Sequence, residues 1–294
     1  MDTASTAKAL GSVLTVIQPA VQRVPLVFAS PHSGTDYPAE FIAQSALDPR
    51  TLRRSEDSFV DELFASAPAQ GAPLLKALFP RAYLDANREA YELDPSMFDG
   101  PLPDGVNSSS PRVGAGLGTV ARVVSTGAEI YRGKLSFSEV ERRIASLYRP
   151  YHACLEKLVD DTVQRFGRCL LVDCHSMPSI GGPTEKDSGA SRVDVVLGDC
   201  YGSSCAISVT ETAERALRDL GYRVVRNSPY AGGFTTRHYG TPWNGRHALQ
   251  IEINRRLYMD ERNHTKRPEF SRLQAHLGQV IESLATLAGT DFQS

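Results

Sequence analysis

Three short segments each end an apolar run on a side chain able to bind a cation or move a proton. Residues 27–34 end in Pro31-His32-Ser33-Gly34, residues 170–176 in Asp173-Cys174-His175-Ser176, and residues 247–253 carry Glu252 between Ile251 and Ile253. Two imidazoles and one carboxylate are enough to hold a single zinc ion and leave a position open for water, the usual arrangement of a catalytic zinc. His32 and His175 are the candidate imidazoles. The third ligand comes from Ser55-Glu56-Asp57-Ser58, two adjacent carboxylates at the start of a helical stretch, where either Glu56 or Asp57 fits. Glu252 is a carboxylate inside an apolar run, costly to bury without a partner. Next to an activated water, such a group is the expected general base.

Substrate recognition points to arginine. Asn87-Arg88 ends a short apolar stretch and offers an amide with a rigid donor fork, a pairing suited to a carboxylate. Arg237 and His238 follow Gly232-Gly233 in a loop rich in glycine and aromatic residues. His247 opens the run that carries Glu252 and is a candidate donor to an oxyanion. Asp173 is a candidate support behind the metal site. His152, His264 and His276 sit in helical or polar surface segments and read as structural. Gly114-Ala115-Gly116 lacks a strand-to-helix transition around it, so a nucleotide loop is not expected. Neither Ser33 nor Ser176 lies in a Gly-x-Ser-x-Gly elbow.

These groups must be brought together by a scaffold, and the apolar pattern describes one. Short β-rich runs at 24–29, 82–84, 170–172, 193–197, 223–225 and 248–253, with a further apolar run at 73–79, alternate with helical spacing at 47–67, 136–167, 210–220 and 270–287. Ser136 with Glu139 three residues later forms a capping box, and Pro150 is expected to break the helix it starts. Residues 94–118, rich in Pro, Gly and Ser, read as a long functional loop inside a single domain spanning 1–294. Alternating strands and helices predict one α/β domain with a mainly parallel sheet. In such a sheet, ligands sit beyond the carboxyl ends of the strands, where all three chemical segments end.

Composition narrows the rest. A net charge of -2 gives no electrostatic reason for nucleic acid or membrane surface as partner, and a small-molecule substrate is expected. No apolar run approaches the roughly 20 residues of a membrane span. The first eleven residues lack a secretion signal, so a cytoplasmic protein is expected. Five cysteines, none in a Cys-x-x-Cys pair, read as buried free thiols.

Taken in order, Pro31-His32-Ser33-Gly34, Asp85-Ala86-Asn87-Arg88, Asp173-Cys174-His175-Ser176, residues 232–240 and residues 247–252 resemble the N-formylglutamate amidohydrolase family, with the likeness running from about Pro25 to Leu287. That family is related to zinc carboxypeptidases and aspartoacylases. The resemblance implies a three-layer α/β/α sandwich of the phosphorylase/hydrolase kind, with a mixed, mainly parallel sheet. It implies one Zn2+ ion on His32, Asp57 and His175, with Glu56 as the substitute for Asp57. It implies Glu252 as base, Asn87 with Arg88 on a substrate carboxylate, and Arg237 with His238 in a substrate loop. The expected reaction is hydrolysis of the linear amide of an N-acyl acidic amino acid, N-formyl-L-glutamate first among them. The rivals are another N-acyl amino acid deacylase, a carboxypeptidase-like peptidase and a non-catalytic dicarboxylate-binding protein.

Overall fold

Alternate side chains of the central strands enter two different cores, and this alternation sets the architecture. The computed structural model describes residues 12–183, 185–290 and 292. Its main sheet comprises β1 (Leu14–Ile17), β2 (Leu26–Ser30), β3 (Leu74–Ala77), β4 (Cys169–Met177), β5 (Val195–Gly198), β6 (Val224–Arg226) and β7 (Arg246–Asn254), in the order β1-β3-β2-β4-β7-β5-β6. On one face, Leu26, Phe28, Leu170, Val172, Leu249 and Ile251 pack with helices Val60–Leu63, Ile207–Asp219 and Phe270–Gly289. On the other, Val27, Ala29, Leu171 and Ala248 meet helices Phe137–Arg143 and Arg149–Phe166 through Val140, Tyr151, Leu155 and Val159. The result is the expected layering of helices on both sides of a sheet, each fully buried aliphatic side chain contributing about 1.5–3 kcal/mol.

The sheet is mixed and mainly parallel. β3, β2, β4 and β7 pair in parallel, as do β5 and β6, while β1 runs against β3 and β5 against β7. Central strands buried on both faces read as the continuous apolar runs seen in the sequence. β1 lay outside the strand pattern read from sequence, because as an edge strand it is only half buried and carries no continuous apolar run.

Several local expectations are corrected. Residues 82–84 form a turn, with the amides of Tyr83 and Leu84 donating to the Pro80 carbonyl, although Leu84 is buried as a strand residue would be. The helix expected over 47–67 breaks into Pro49–Leu52, a 3-10 turn at Arg53–Ser55 and Val60–Leu63. Between them Glu56 is extended and Phe59 is left-handed at φ 67°. Phe59 carries a Cβ, so this is a strained backbone of the kind that gathers at functional sites. Residues 230–244, expected as a loop, contain a short helix, Phe234–Tyr239. The capping box is present, with Ser136 Oγ accepting from the Glu139 amide. The interruption before Pro150 is a π-helical turn, Ile144–Tyr148, and Gly167 ends the helix in the left-handed conformation.

Candidate active site

β4 and β7 lie in parallel register, with His175 opposite Glu252 and Asp173 opposite Gln250. Period-two alternation then places all four side chains on one face of the sheet, while Cys174 and Ile251 turn into the opposite core. His32 arrives from the loop that ends β2. That loop presses against residues 78 and 79 so closely that a Cβ on Gly34 would lie 2.2 Å from the Phe79 carbonyl oxygen. Asp57 comes from the extended break described above, its amide donating to the His32 carbonyl at 3.0 Å.

His32, Asp57 and His175 form the group among the described residues whose donor atoms are close enough to share a metal ion, within 4.8 Å of one another, and all three are buried. Their Nδ1 and Oδ2 atoms converge: His175 Nδ1 is 3.2 Å from Asp57 Oδ2 and 3.1 Å from His32 Nδ1. Behind the rings stand two further carboxylates. His32 Nε2 is 2.7 Å from Asp85 Oδ1, and His175 Nε2 is 2.9 Å from Asp173 Oδ1. A carboxylate at Nε2 keeps one ring proton there, so each Nδ1 atom faces the Asp57 oxygen across either a second proton or a metal ion. Converging lone pairs repel unless a cation lies between them, and two imidazoles with one carboxylate form a donor set that zinc accepts. Burial opposes charge on Asp57, but His175, His32 and Arg255 outweigh it and hold its carboxyl well below the usual range. Burial likewise opposes a charged His175, and Asp173 and Asp57 overcome it, so that imidazole stays protonated well above its ordinary range until a cation replaces the proton.

Glu56 is excluded from the cluster. Its carboxylate faces Arg53, with Nη2 at 2.8 Å and Nε at 3.0 Å, and accepts from the Ser58 hydroxyl. Glu252 faces the cluster, and burial, reinforced by Asp57 and Asp173, pushes its carboxyl up from 4.5 to about 7. Gln250 orients it by donating from Nε2 to Glu252 Oε1 at 2.8 Å. The other end of the Gln250 amide accepts from the Gly233 amide at 2.7 Å.

A cavity opens onto this face, lined by His32, Asn87, Arg88, His175, Gln250 and Glu252 and by three further arginines, Arg81, Arg112 and Arg255. Glu185 and Tyr230 also line it, and Tyr230 and the buried Arg192 both hold the Glu185 carboxylate. Asp85 binds Arg81 through Nε at 3.0 Å and lies 3.6 Å from Arg88, and these two cations together with His32 keep its carboxyl far below its ordinary value despite burial. Arg255 reaches Asp57 Oδ1 at 3.0 Å and Ser176 Oγ at 3.2 Å, fixing the ligand carboxylate from outside the cluster.

Other expected site residues are placed differently. Both ends of the Asn87 amide are engaged: Oδ1 accepts from the Thr235 amide at 2.8 Å and Nδ2 donates to Asp173 Oδ2 at 3.2 Å. Asn87 therefore ties the 232–236 segment to the carboxylate behind His175, and a Cβ on Gly233 would lie 2.3 Å from its amide nitrogen. Arg237 and His238 are exposed on the helix Phe234–Tyr239, outside the cavity lining. Arg237 donates to the Gly232 carbonyl at 3.3 Å, while the His238 ring stacks on Phe234. His247 is corrected outright. It pairs with Leu170 at the amino end of the sheet, accepts from the Ala206 amide and packs on Phe292, so it has no access to a reacting group near Glu252.

Sequence reasoning left Asp85, Arg81, Arg112, Arg255 and Gln250 without roles. Arg255 and Gln250 carried a readable signal, flanking Glu252 on the same strand-to-loop segment. Asp85 stood in a quoted motif, but its contact with His32 spans 53 positions and nothing local announces it.

Known proteins resemble this chain in sequence and in fold. The sequence model of the N-formylglutamate amidohydrolase family matches residues 24–259. An N-formylglutamate deformylase of Pseudomonas putida is 27% identical over 276 residues, covering 92% of this chain and 96% of its own. One from Pseudomonas aeruginosa is 31% identical over 242 residues, covering 81% and 84%. The crystal structure of N-formylglutamate amidohydrolase from Ralstonia eutropha JMP134 superposes with a TM-score of 0.84 at 37% identity, covering 94% of this chain and 97% of that one. With the matched span taking in every cluster ligand and Glu252, the chain belongs to the N-formylglutamate amidohydrolase family.

Proposed function

We propose that this protein hydrolyses N-formyl-L-glutamate to formate and L-glutamate, using one zinc ion held by His32, Asp57 and His175. The observation that carries the reading is the register of β4 and β7, which sets the Glu252 carboxyl, at about 7, opposite His175 inside an arginine-lined cavity. Zinc held by His32, Asp57 and His175 would supply Lewis acidity, lowering the pKa of water toward 7 and polarising a carbonyl. Glu252, ionised, takes the proton from the attacking water as the new C–O bond forms, and passes it to the amine nitrogen as the C–N bond breaks. Gln250 holds that carboxylate in place throughout. Asp85 and Asp173 keep the two imidazoles oriented, and Arg255 does the same for Asp57. Arg81 and Arg88, both pinned by Asp85, offer fixed cations for the carboxylate nearest the scissile amide.

No helix among the described residues is long and apolar enough to cross a membrane. Five unpaired thiols suit a reducing compartment, and the cytoplasm is our assignment. The test combines metal analysis of the purified protein with formate release from N-formyl-L-glutamate, run beside N-acetyl-L-glutamate and a peptidyl-glutamate. One zinc per chain and a clear preference for the formyl compound are expected. Preference for the acetyl or peptidyl compound would move the reading to a deacylase or a peptidase. Binding of glutamate without turnover or metal would leave a dicarboxylate-binding protein.

A further inference from the structure

The arginines around the cavity are not equivalent. Arg81 is committed to Asp85. Arg88 donates to the Leu117 and Asn87 carbonyls at 2.8 and 2.7 Å and lies beside Asp85. Arg255 is committed to Asp57, Ser176 and the Arg54 carbonyl. Arg112 lines the same cavity from the short helix Pro111–Gly114, which interrupts the loop expected over 94–118, is exposed, and its side chain has no hydrogen-bond or ion-pair partner among the described residues. It is near enough to Arg88 that, after burial, its charge is the next influence lowering that guanidinium to about 10.

The cations therefore form an ordered series leading away from the His–Asp cluster. Asp85, which touches His32, holds Arg81 and Arg88, and Arg112 lines the same cavity as an exposed side chain where Arg88 is buried. An N-acyl glutamate is itself ordered: its α-carboxylate is one bond from the carbon bearing the scissile amide, and its side-chain carboxylate is three bonds away. With the amide at the cluster, the near carboxylate falls to Arg81 and Arg88 and the far one to the exposed Arg112.

We propose that Arg112 is the specificity residue that recognises the side-chain carboxylate of the substrate, selecting an acidic over a neutral amino acid. The proposal rests on the hydrolytic reading for the orientation of the ligand. A guanidinium without an internal partner suits this task, since it surrenders no protein contact on taking a carboxylate and can form a bidentate pair with it. An apolar or amide side chain in the ligand would leave that cation no better satisfied than water does.

The test titrates the zinc-loaded wild type and Arg112→Ala with L-glutamate and L-glutamine by calorimetry. In parallel, the kcat/KM ratio for N-formyl-L-glutamate over N-formyl-L-glutamine is measured. The glutamate preference is expected to fall by about 10- to 100-fold in the variant by both measures, the range of a charge-assisted bond. Arg112→Lys, which keeps the charge but not the fork, should recover part of it. A preference within about twofold of wild type in Arg112→Ala, or a wild type with no preference for glutamate, overturns the assignment. A glutamate preference that vanishes in the variant while neither protein releases formate would sustain Arg112 and sink the hydrolytic reading.

Discussion

β7 carries two ionisable side chains with displaced pKa values, one near each end, and only one of them faces a cavity built for chemistry. Burial pushes the Glu252 carboxyl up to about 7, and burial, followed by the Arg168 charge, lowers the His247 imidazole to about 4. Five residues, about 17 Å of extended chain, separate them. At the carboxyl end, four strand residues on β4 and β7, a loop after β2 and an extended break before Phe59 converge on an open cavity. At the amino end, His247 fills a space between Phe292 and the start of helix Ile207–Asp219. A displaced pKa marks desolvation at both ends; the end of the sheet on which a group lies decides whether the desolvation is used.

The comparison is broken most directly by exchanging Glu252. Glu252→Gln is expected to lower turnover of N-formyl-L-glutamate by about 100- to 10,000-fold, with zinc content by metal analysis unchanged. Retained turnover would remove Glu252 from its role. The same variant has a stability signature with a definite sign. A carboxyl raised from 4.5 to about 7 stabilises the fold fully below its unfolded value and loses that contribution as pH rises toward and through 7. Metal-free Glu252→Gln should therefore gain stability relative to metal-free wild type as pH climbs from 5 to 8, read as the urea midpoint.

Asp85→Asn weakens the support behind His32 and should lower zinc affinity by about 10- to 100-fold, measured by competition with a chelator. An unchanged affinity would leave Asp85 only its arginine contacts. At the other end, His247→Phe keeps a ring against Phe292 and removes the acceptor for the Ala206 amide. It should cost about 1–2 kcal/mol in urea unfolding with kcat/KM unchanged. Its pH signature runs opposite to that of Glu252. An imidazole lowered from 6.5 to about 4 contributes stability that is complete above the unfolded value and is lost as pH falls toward 4, so the gap between wild type and variant should narrow in acid. A large loss of turnover in His247→Phe would abolish the contrast between the two ends. Arg237→Ala, at an exposed guanidinium touching one carbonyl, should give the smallest effect, a KM within about threefold of wild type.

Much of this was legible because the relevant physics is local. The continuous apolar runs of β2, β4 and β7 report strands buried on both faces, and each ends on a residue of the site. The capping box at Ser136 and Glu139 and the glycine stop at Gly167 bound a helical stretch by backbone hydrogen bonding within a few residues. Errors arose where a tertiary contact overrode a local pattern. Residues 82–84 have the apolar content of a strand, but their amides turn back to Pro80 so that Asp85 can reach His32. The helical spacing over 47–67 is real, yet the chain must break there to send Asp57 rather than Glu56 toward the imidazoles. His247 and Glu252 shared one apolar run and were read as one site, although an extended strand carries its ends apart.

The chain's own order of residues determined the fold class, the strand ends and the presence of His32, His175 and Glu252 at those ends, because burial periodicity and side-chain chemistry are properties of short segments. Which acid joins the cluster, which carboxylates stand behind it, which arginine is left without a partner and which end of β7 is the working one were decided only in three dimensions. Those choices depend on register between strands and on contacts across more than 50 positions, where nothing in the neighbouring residues carries the information.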